Sequence, residues 1–470
     1  MGTHHMSAVD SAWLRMDSPG NLLVVNAIFW TEGPIDFDEF RTVIGERMID
    51  KFPRFRQHPG SSRIPMGRAE WVDDEDFDVE RHYRYVTLDA PGDEATLQAY
   101  VSSQTGIPLD PTRPLWEIHF ISGFGPGSAA FFRIHHAIAD GIALTRVMLS
   151  LTDDGPEDSF KAVRDPSSTQ SLVSAAGWVV STSVGLVRHP TRIAGLARTV
   201  LRDSTRLVHL ATLPTKPKSV LSGTMVETKL VTWTPPIPLA DIKAIGQHAG
   251  TTVNDVLLAA LAGALGDYLV ERGTPLPDVR VMVPVNLRPL DAPLPPELGN
   301  EFGFYFVDLP TGPMPPRARL DEMHHRVEEI KGSPEALVAF GVLAGLGASP
   351  KLVEDIGVAF FGSKAAGVVT NVPGPRTPVY LAGARVAGLI GWVPRAGDMG
   401  FGVSISSYAG QVTVGFSTDA ALIPDPSRLQ QLVLEQIDLM LTIGQPTGGV
   451  PNTLGDIGPF QLTNSQIIMG

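Results

Sequence analysis

The sequence predicts a mixed α/β (α+β) fold, on three observations. Strand-like and helix-like stretches alternate in both outer parts of the chain. The run at residues 129–134 is apolar enough for a buried strand and leads, through one short polar stretch, into an apolar helix at 142–149. Between the outer parts lies a segment of different composition, which reads as a crossover.

In chain order, residues 38–51 carry apolar side chains at helical spacing (Phe40, Val43, Ile44, Met48). Residues 83–88 and 115–121 read as strands. A polar stretch at 152–169 and irregular helical sequence at 171–210 follow. The segment Pro214-Thr215-Lys216-Pro217-Lys218-Ser219 then has the composition of a solvated linker. Beyond it, 226–233 reads as a strand, 239–249 as a helix, 253–270 as a strongly apolar helix and 280–285 as a buried strand. Residues 400–407 and 411–417 read as a hairpin turning at Tyr408-Ala409-Gly410. The expected division is 7–151, 152–222 and 223–470.

Composition narrows the function. The 470 residues include no cysteine, so disulfides, thiolate nucleophiles and cysteine metal sites are excluded. A net charge of −13 argues against nucleic acid as a partner. No uninterrupted apolar stretch of about 18 residues is present, so no membrane-spanning helix is expected. The cytoplasm is the default compartment. Residues 1–5 lack the regions of a secretory signal and read as an addition before a natural start at Met6.

The most informative stretch is His135-His136-Ala137-Ile138-Ala139-Asp140-Gly141. Two imidazoles at the end of a buried strand are hard to satisfy as packing. A neutral imidazole is a good acceptor for a hydroxyl proton near neutral pH. His136 is the candidate base, and strand alternation turns His135 to the other face, in support. Asp140 either orients the imidazole or faces away into an ion pair. Gly141 is expected where a Cβ would clash in a tight exit. His324-His325 is also a tandem pair, but charges surround it at helical spacing, and it reads as a solvated helix face.

This HHxxxDG pattern resembles the CoA-dependent acyltransferases, which include chloramphenicol acetyltransferase, peptide-synthetase condensation domains and the wax ester synthase/diacylglycerol acyltransferases. Further stretches are similar to the last of these: residues 9–14 and 71–78, Pro114-Leu115-Trp116-Glu117, Thr251-Thr252-Val253-Asn254-Asp255-Val256, and Thr370-Asn371-Val372-Pro373-Gly374-Pro375. The resemblance spans about residues 7 to 445. It implies two chloramphenicol-acetyltransferase-like domains joined by a helical crossover, with an active-site channel at their interface. It implies Arg288 as the partner of Asp140, Asn254 and Asp255 as supporting residues, and Trp116, Asn371 and Gly374 as channel residues. The implied substrates are acyl-CoA and a lipophilic alcohol or diacylglycerol, giving wax ester or triacylglycerol, without metal or organic cofactor. Thr370, where the family often has serine, and Asn21-Leu22-Leu23-Val24, where it usually has a Met-His pair, bear on acceptor preference rather than on the chemistry.

Two other readings stand beside it. One is a superfamily acyltransferase acting on a smaller or carrier-bound acceptor. The other is a non-catalytic lipid-binding relative, against which the retained His136, Asp140 and Gly141 argue. In the crossover, residues 188–218 hold seven basic side chains against one acid, Asp203. Arg198, Arg202 and Arg206 fall in one helical row, which suits either packing on the chain's own domain or peripheral contact with the inner membrane face or a lipid-droplet surface.

Overall fold

The computed structural model describes residues 3–60, 69–155, 213–288, 293–330, 362–395 and 397–442. The expected basic helix of the crossover lies outside them.

The first half contains β1 (Thr3–His5), α1 (Ala8–Met16), β2 (Val24–Thr31), α2 (Phe37–Ile44), β3 (Gln57–Gly60) and β4 (Glu70–Asp73). It continues with β5 (Tyr83–Thr87), α3 (Glu94–Thr105), β6 (Trp116–Phe124), β7 (Gly127–His135), α4 (Gly141–Ser150) and β8 (Thr152–Asp153). The second half contains β9 (Lys229–Trp233), β10 (Ile237–Pro238), α5 (Leu239–Ala249), α6 (Val253–Glu271), β11 (Asp278–Asn286), β12 (Phe302–Pro310) and α7 (Pro316–Ile330). Its remainder is β13 (Gly367–Pro373), β14 (Tyr380–Leu381), β15 (Ala384–Trp392), β16 (Phe401–Tyr408), β17 (Gln411–Asp419) and α8 (Pro426–Leu441).

Two large mixed sheets organise the molecule. The first runs β5-β6-β7-β2-β15-β14-β8, and the second β10-β17-β16-β13-β11-β12, with β9 also on β17. A small sheet, β1-β4-β3, flanks the first. β14 and β15 come late in the chain yet complete the first sheet. Gly388 permits this: a Cβ there would lie 2.1 Å from the Trp30 ring across the pair.

The second sheet is built on α6. Apolar all round, this helix buries residues 255–266 without a break. A capping box starts it: Thr252 Oγ1 accepts from the Asp255 N–H, and the Asp255 carboxylate accepts from the Thr252 N–H. Among the described residues α6 alone is long and apolar enough to cross a membrane, but 78% of that window is buried in protein. It is the spine of a core. The hairpin β16–β17 turns on Ala409 and Gly410, both at positive φ (46° and 79°), as a two-residue turn that keeps the strand twist requires.

Alternation fixes what β16 offers to each side. Val403 and Ile405 join the core around α6, which leaves Ser404 and Ser406 on the face toward the first sheet. β13 does the same: Val369 packs into that core, while Thr370 and Val372 face the first sheet.

Candidate active site at the junction of the two sheets

β7 is buried along its whole length, and its pairing with β2 ends at His135 opposite Val24. The chain then turns, and main-chain bonds from two directions hold it. The His136 N–H donates to the Leu23 carbonyl at 2.8 Å and the Ile138 N–H to the His135 carbonyl at 3.0 Å. From the second half, Gly299 bridges to Ala139 and its N–H donates to the Ile138 carbonyl at 3.1 Å. The loop is therefore a seam: its ends belong to the first sheet, and its middle is pinned by the segment that leads into β12.

His136 is buried. Its ring stacks on Trp13 of α1, centroids 4.3 Å apart, and lies 5.5 Å from Phe302 at the start of β12. Burial pushes the imidazole down to about 4; Asp140 opposes the shift and His135 adds to it, while its own main chain and Asn300 also oppose it. The ring is thus neutral at physiological pH, the state a base needs. kcat/KM is expected to change less than about two-fold between about pH 8 and 5.5 and to fall only nearer the depressed value. A half-maximal rate near 6.5, the ordinary imidazole value, would contradict this environment.

His135 takes a different part. The Ala137 N–H donates to its Nδ1 at 3.0 Å, so the proton of the neutral ring sits on Nε2. That Nε2 lies 3.8 Å from the Asp17 carboxylate, whose other oxygen accepts from the Leu23 N–H at 2.7 Å.

Asp140 makes no hydrogen bond to His136. Its Oδ1 accepts from the Ala143 N–H at 2.8 Å, capping α4, and its Oδ2 accepts from the Glu301 N–H at 3.0 Å. Arg288 Nη2 stands 3.7 Å from Oδ2, an ion pair longer than a hydrogen bond, and donates instead to the carbonyls of Leu298 and Gly299.

Several sequence expectations need correction. Gly141 is not forced by a clash: its Cβ would meet Val393 at 3.6 Å, ordinary contact, and the residue lines a cavity. Trp116 is core rather than channel; its Nε1 donates to the Phe55 carbonyl at 2.9 Å and its ring stacks on His82. Asn371 faces away from the cavity because its neighbours Thr370 and Val372 face into it; its Nδ2 donates to Asn254 Oδ1 at 3.3 Å. Gly374 is held by a backbone approach, since a Cβ would sit 2.5 Å from the Ser407 carbonyl. Asp255 caps α6 and bonds His324 Nδ1 at 2.7 Å, so His324 is not merely a solvated face, whereas His325 is mostly exposed.

Sequence reasoning assigned no role to four residues around the imidazole: Asp10, Trp13, Asn300 and Phe302. Asn300 Nδ2 donates to both the His136 carbonyl and Asp10 Oδ1, each at 2.8 Å. Burial raises the Asp10 carboxyl. The sequence signal for Asp10 and Trp13 was the family resemblance of residues 9–14, which gave neither a role; in the structure Val9, Asp10 and Trp13 fall together on the buried face of α1.

A cavity of about 80 Å³, partly open to solvent, lies between the two sheets, under α4. Ile134 and Gly141 bring it to both ends of the histidine loop, although His136 is not itself among its lining residues. Apart from a few hydroxyls, its walls are apolar. Among the described residues no cluster of three or more His, Asp or Glu side chains could hold a metal ion.

Comparison with known proteins agrees with this arrangement. Residues 6–257 match the profile "Wax ester synthase/diacylglycerol acyltransferase catalytic domain", and residues 298–441 match "WS/DGAT C-terminal domain". The chain is 27% identical over 454 residues to "Probable diacyglycerol O-acyltransferase tgs1" of Mycobacterium tuberculosis, covering 94% of this chain and 96% of that one. It is 30% identical over 442 residues to that organism's "Probable diacyglycerol O-acyltransferase tgs2", covering 89% and 95%. In fold it is similar to the wax ester synthase/diacylglycerol acyltransferase from Marinobacter aquaeolei VT8, with TM-score 0.67 at 21% identity over 94% of this chain and 99% of that one. It is also similar to the starter condensation domain of rhizomide synthetase, with TM-score 0.60 at 16% identity over 94% of each chain.

Proposed function

Because this chain belongs to the wax ester synthase/diacylglycerol acyltransferase family, we propose that it moves an acyl group from acyl-CoA to a lipophilic alcohol or diacylglycerol, with His136 as base. The neutral imidazole takes the proton of the acceptor hydroxyl. The oxygen attacks the thioester carbonyl carbon, the C–S bond breaks, and the leaving CoA thiolate takes the proton back from the imidazolium. The products are an ester and CoA, and no covalent enzyme intermediate forms.

The observation that carries this reading is His136 itself, neutral under Trp13 and Phe302, on a loop pinned from both halves beside an apolar cavity. Excluding water from such a site favours transfer over hydrolysis of the thioester. Asp140 serves as the cap that fixes the loop. The test is CoA release from palmitoyl-CoA with hexadecanol, dioleoylglycerol or no acceptor. Release that depends on acceptor, with a matching ester product, supports transfer; release without acceptor, or none at all, rejects it.

The crossover sequence supports a further part of the proposal, contact with an anionic lipid surface. Changing Arg198, Arg202 and Arg206 to Gln is expected to weaken binding to anionic liposomes, at about 1 kcal/mol for each basic residue near the surface. Wild-type protein that stays free of such liposomes at low salt would rule this contact out.

A further inference from the structure

The cavity beside the histidine loop has two chemically different walls. The first sheet contributes hydrocarbon, from Val25 and Phe29 on β2 to Ile134 on β7 and Leu389 on β15. The second contributes, beside Val372, three hydroxyls: Thr370 on β13, and Ser404 and Ser406 on β16. These β16 positions pair with Thr370 and Val372, so the hydroxyls form a row along one strand face.

Ser404 and Ser406 are 2% and 4% exposed. Thr370 Oγ1 reaches the Val403 carbonyl at 3.5 Å, at the limit of a hydrogen bond. Among the described residues no hydrogen bond engages either serine hydroxyl, and neither oxygen is fully buried, so both open on the cavity. A hydroxyl that opens on a cavity without a protein partner is free to donate to whatever fills it. The hydroxyls therefore suit an occupant that brings hydrogen-bond acceptors of its own.

That requirement separates the two kinds of acceptor alcohol. A straight-chain alcohol has one oxygen, which must go to His136 to react. A diacylglycerol has, besides its reacting hydroxyl, two ester carbonyl oxygens on the same glycerol. Side chains at i and i+2 on a strand are about 6 to 7 Å apart, a separation that two such esters can bridge.

We propose that Ser404 and Ser406 are specificity-determining residues, whose hydroxyls donate to the ester carbonyl oxygens of a glycerolipid acceptor. This rests on the acyl-transfer reading above. The apolar wall takes the acyl chains, and the hydroxyl row holds the glycerol esters so that the free hydroxyl is directed to the loop.

The test compares 1,2-dioleoylglycerol with its diether analogue, 1,2-di-O-oleylglycerol, each with palmitoyl-CoA. The two share hydroxyl, backbone and chains and differ in the carbonyls. Wild-type enzyme is expected to prefer the diester in kcat/KM by about ten-fold or more, the worth of two neutral hydrogen bonds. Ser404→Ala/Ser406→Ala should lower that ratio at least about ten-fold, whereas Ser404→Thr/Ser406→Thr, which keeps the hydroxyls, should retain most of it. A wild type that does not distinguish diester from diether overturns the proposal, as does an unchanged ratio in the alanine variant. Absence of transfer to either glycerolipid and to hexadecanol would reject the acyltransferase reading itself, which is a different result.

Discussion

His136→Ala abolishes acyl transfer while the fold persists: that is the result expected from the site. Loss of a general base ordinarily costs about 10²–10⁴ in rate. The other imidazole of the motif cannot substitute, because the Ala137 N–H occupies His135 Nδ1 and Nε2 carries the proton. The loop should keep its path, since the bonds that hold residue 136 use its own main chain: its N–H donates to the Leu23 carbonyl, and its carbonyl accepts from Asn300 Nδ2. What is lost is the ring between Trp13 and Phe302, a modest packing loss. Melting temperature and CoA release are measured together. A well-folded His136→Ala protein that retains more than about a tenth of the normal rate would mean the proton goes elsewhere. His135→Ala is expected to do less to the chemistry and more to the loop, because it leaves the buried Ala137 N–H unpaired, at about 1–3 kcal/mol.

How much of this was legible in the sequence follows from the range of the interactions. Helices α5 and α6 and the β16–β17 hairpin were read nearly to the residue, because their signals are local: helical spacing, a capping box and a two-residue turn. The strand and helix around His135 and His136 were legible for the same reason. The sheet order was not. β15 crosses to the first sheet because Gly388 fits under Trp30, a match between residues more than 350 positions apart. The same limit applied to the site. Asn371 was placed in the channel by its motif, but strand alternation hands the cavity to Thr370 and Val372. Trp116 looked like lining and is core, since its Nε1 partner is the distant Phe55 carbonyl. The groups that enclose His136 come from α1 and from residues 300–302, and nothing local marks them as neighbours.

Asp140 and Arg288 give the second large effect, and the geometry makes it unequal. The Asp140 carboxylate accepts two buried main-chain N–H groups, from Ala143 and Glu301, and stands 3.7 Å from the guanidinium. Asp140→Asn keeps one acceptor but must present an NH₂ to the Glu301 or Ala143 N–H, and it leaves the Arg288 charge to the half-exposed Glu301 carboxylate, 3.6 Å from Nε. Removing one partner of a buried pair costs up to about 3–5 kcal/mol. Arg288→Met is milder, because the carboxylate keeps both amides; its cost is the bonds to the Leu298 and Gly299 carbonyls and the ion pair with Glu301. Both changes loosen the attachment of residues 298–301 to the histidine loop, so both should lower activity as well as melting temperature. In the double variant the under-compensated buried charge is gone, and part of the stability returns as a coupling energy of about 1–2 kcal/mol, within the range for residues in contact. Additive losses would mean that Arg288 serves only those two carbonyls and Glu301, and that Asp140 is held by the backbone alone. Rescue of Asp140→Asn activity by Arg288→Met, beyond the rescue of stability, would instead show that the Arg288 charge, once Asp140 is neutral, itself disturbs His136.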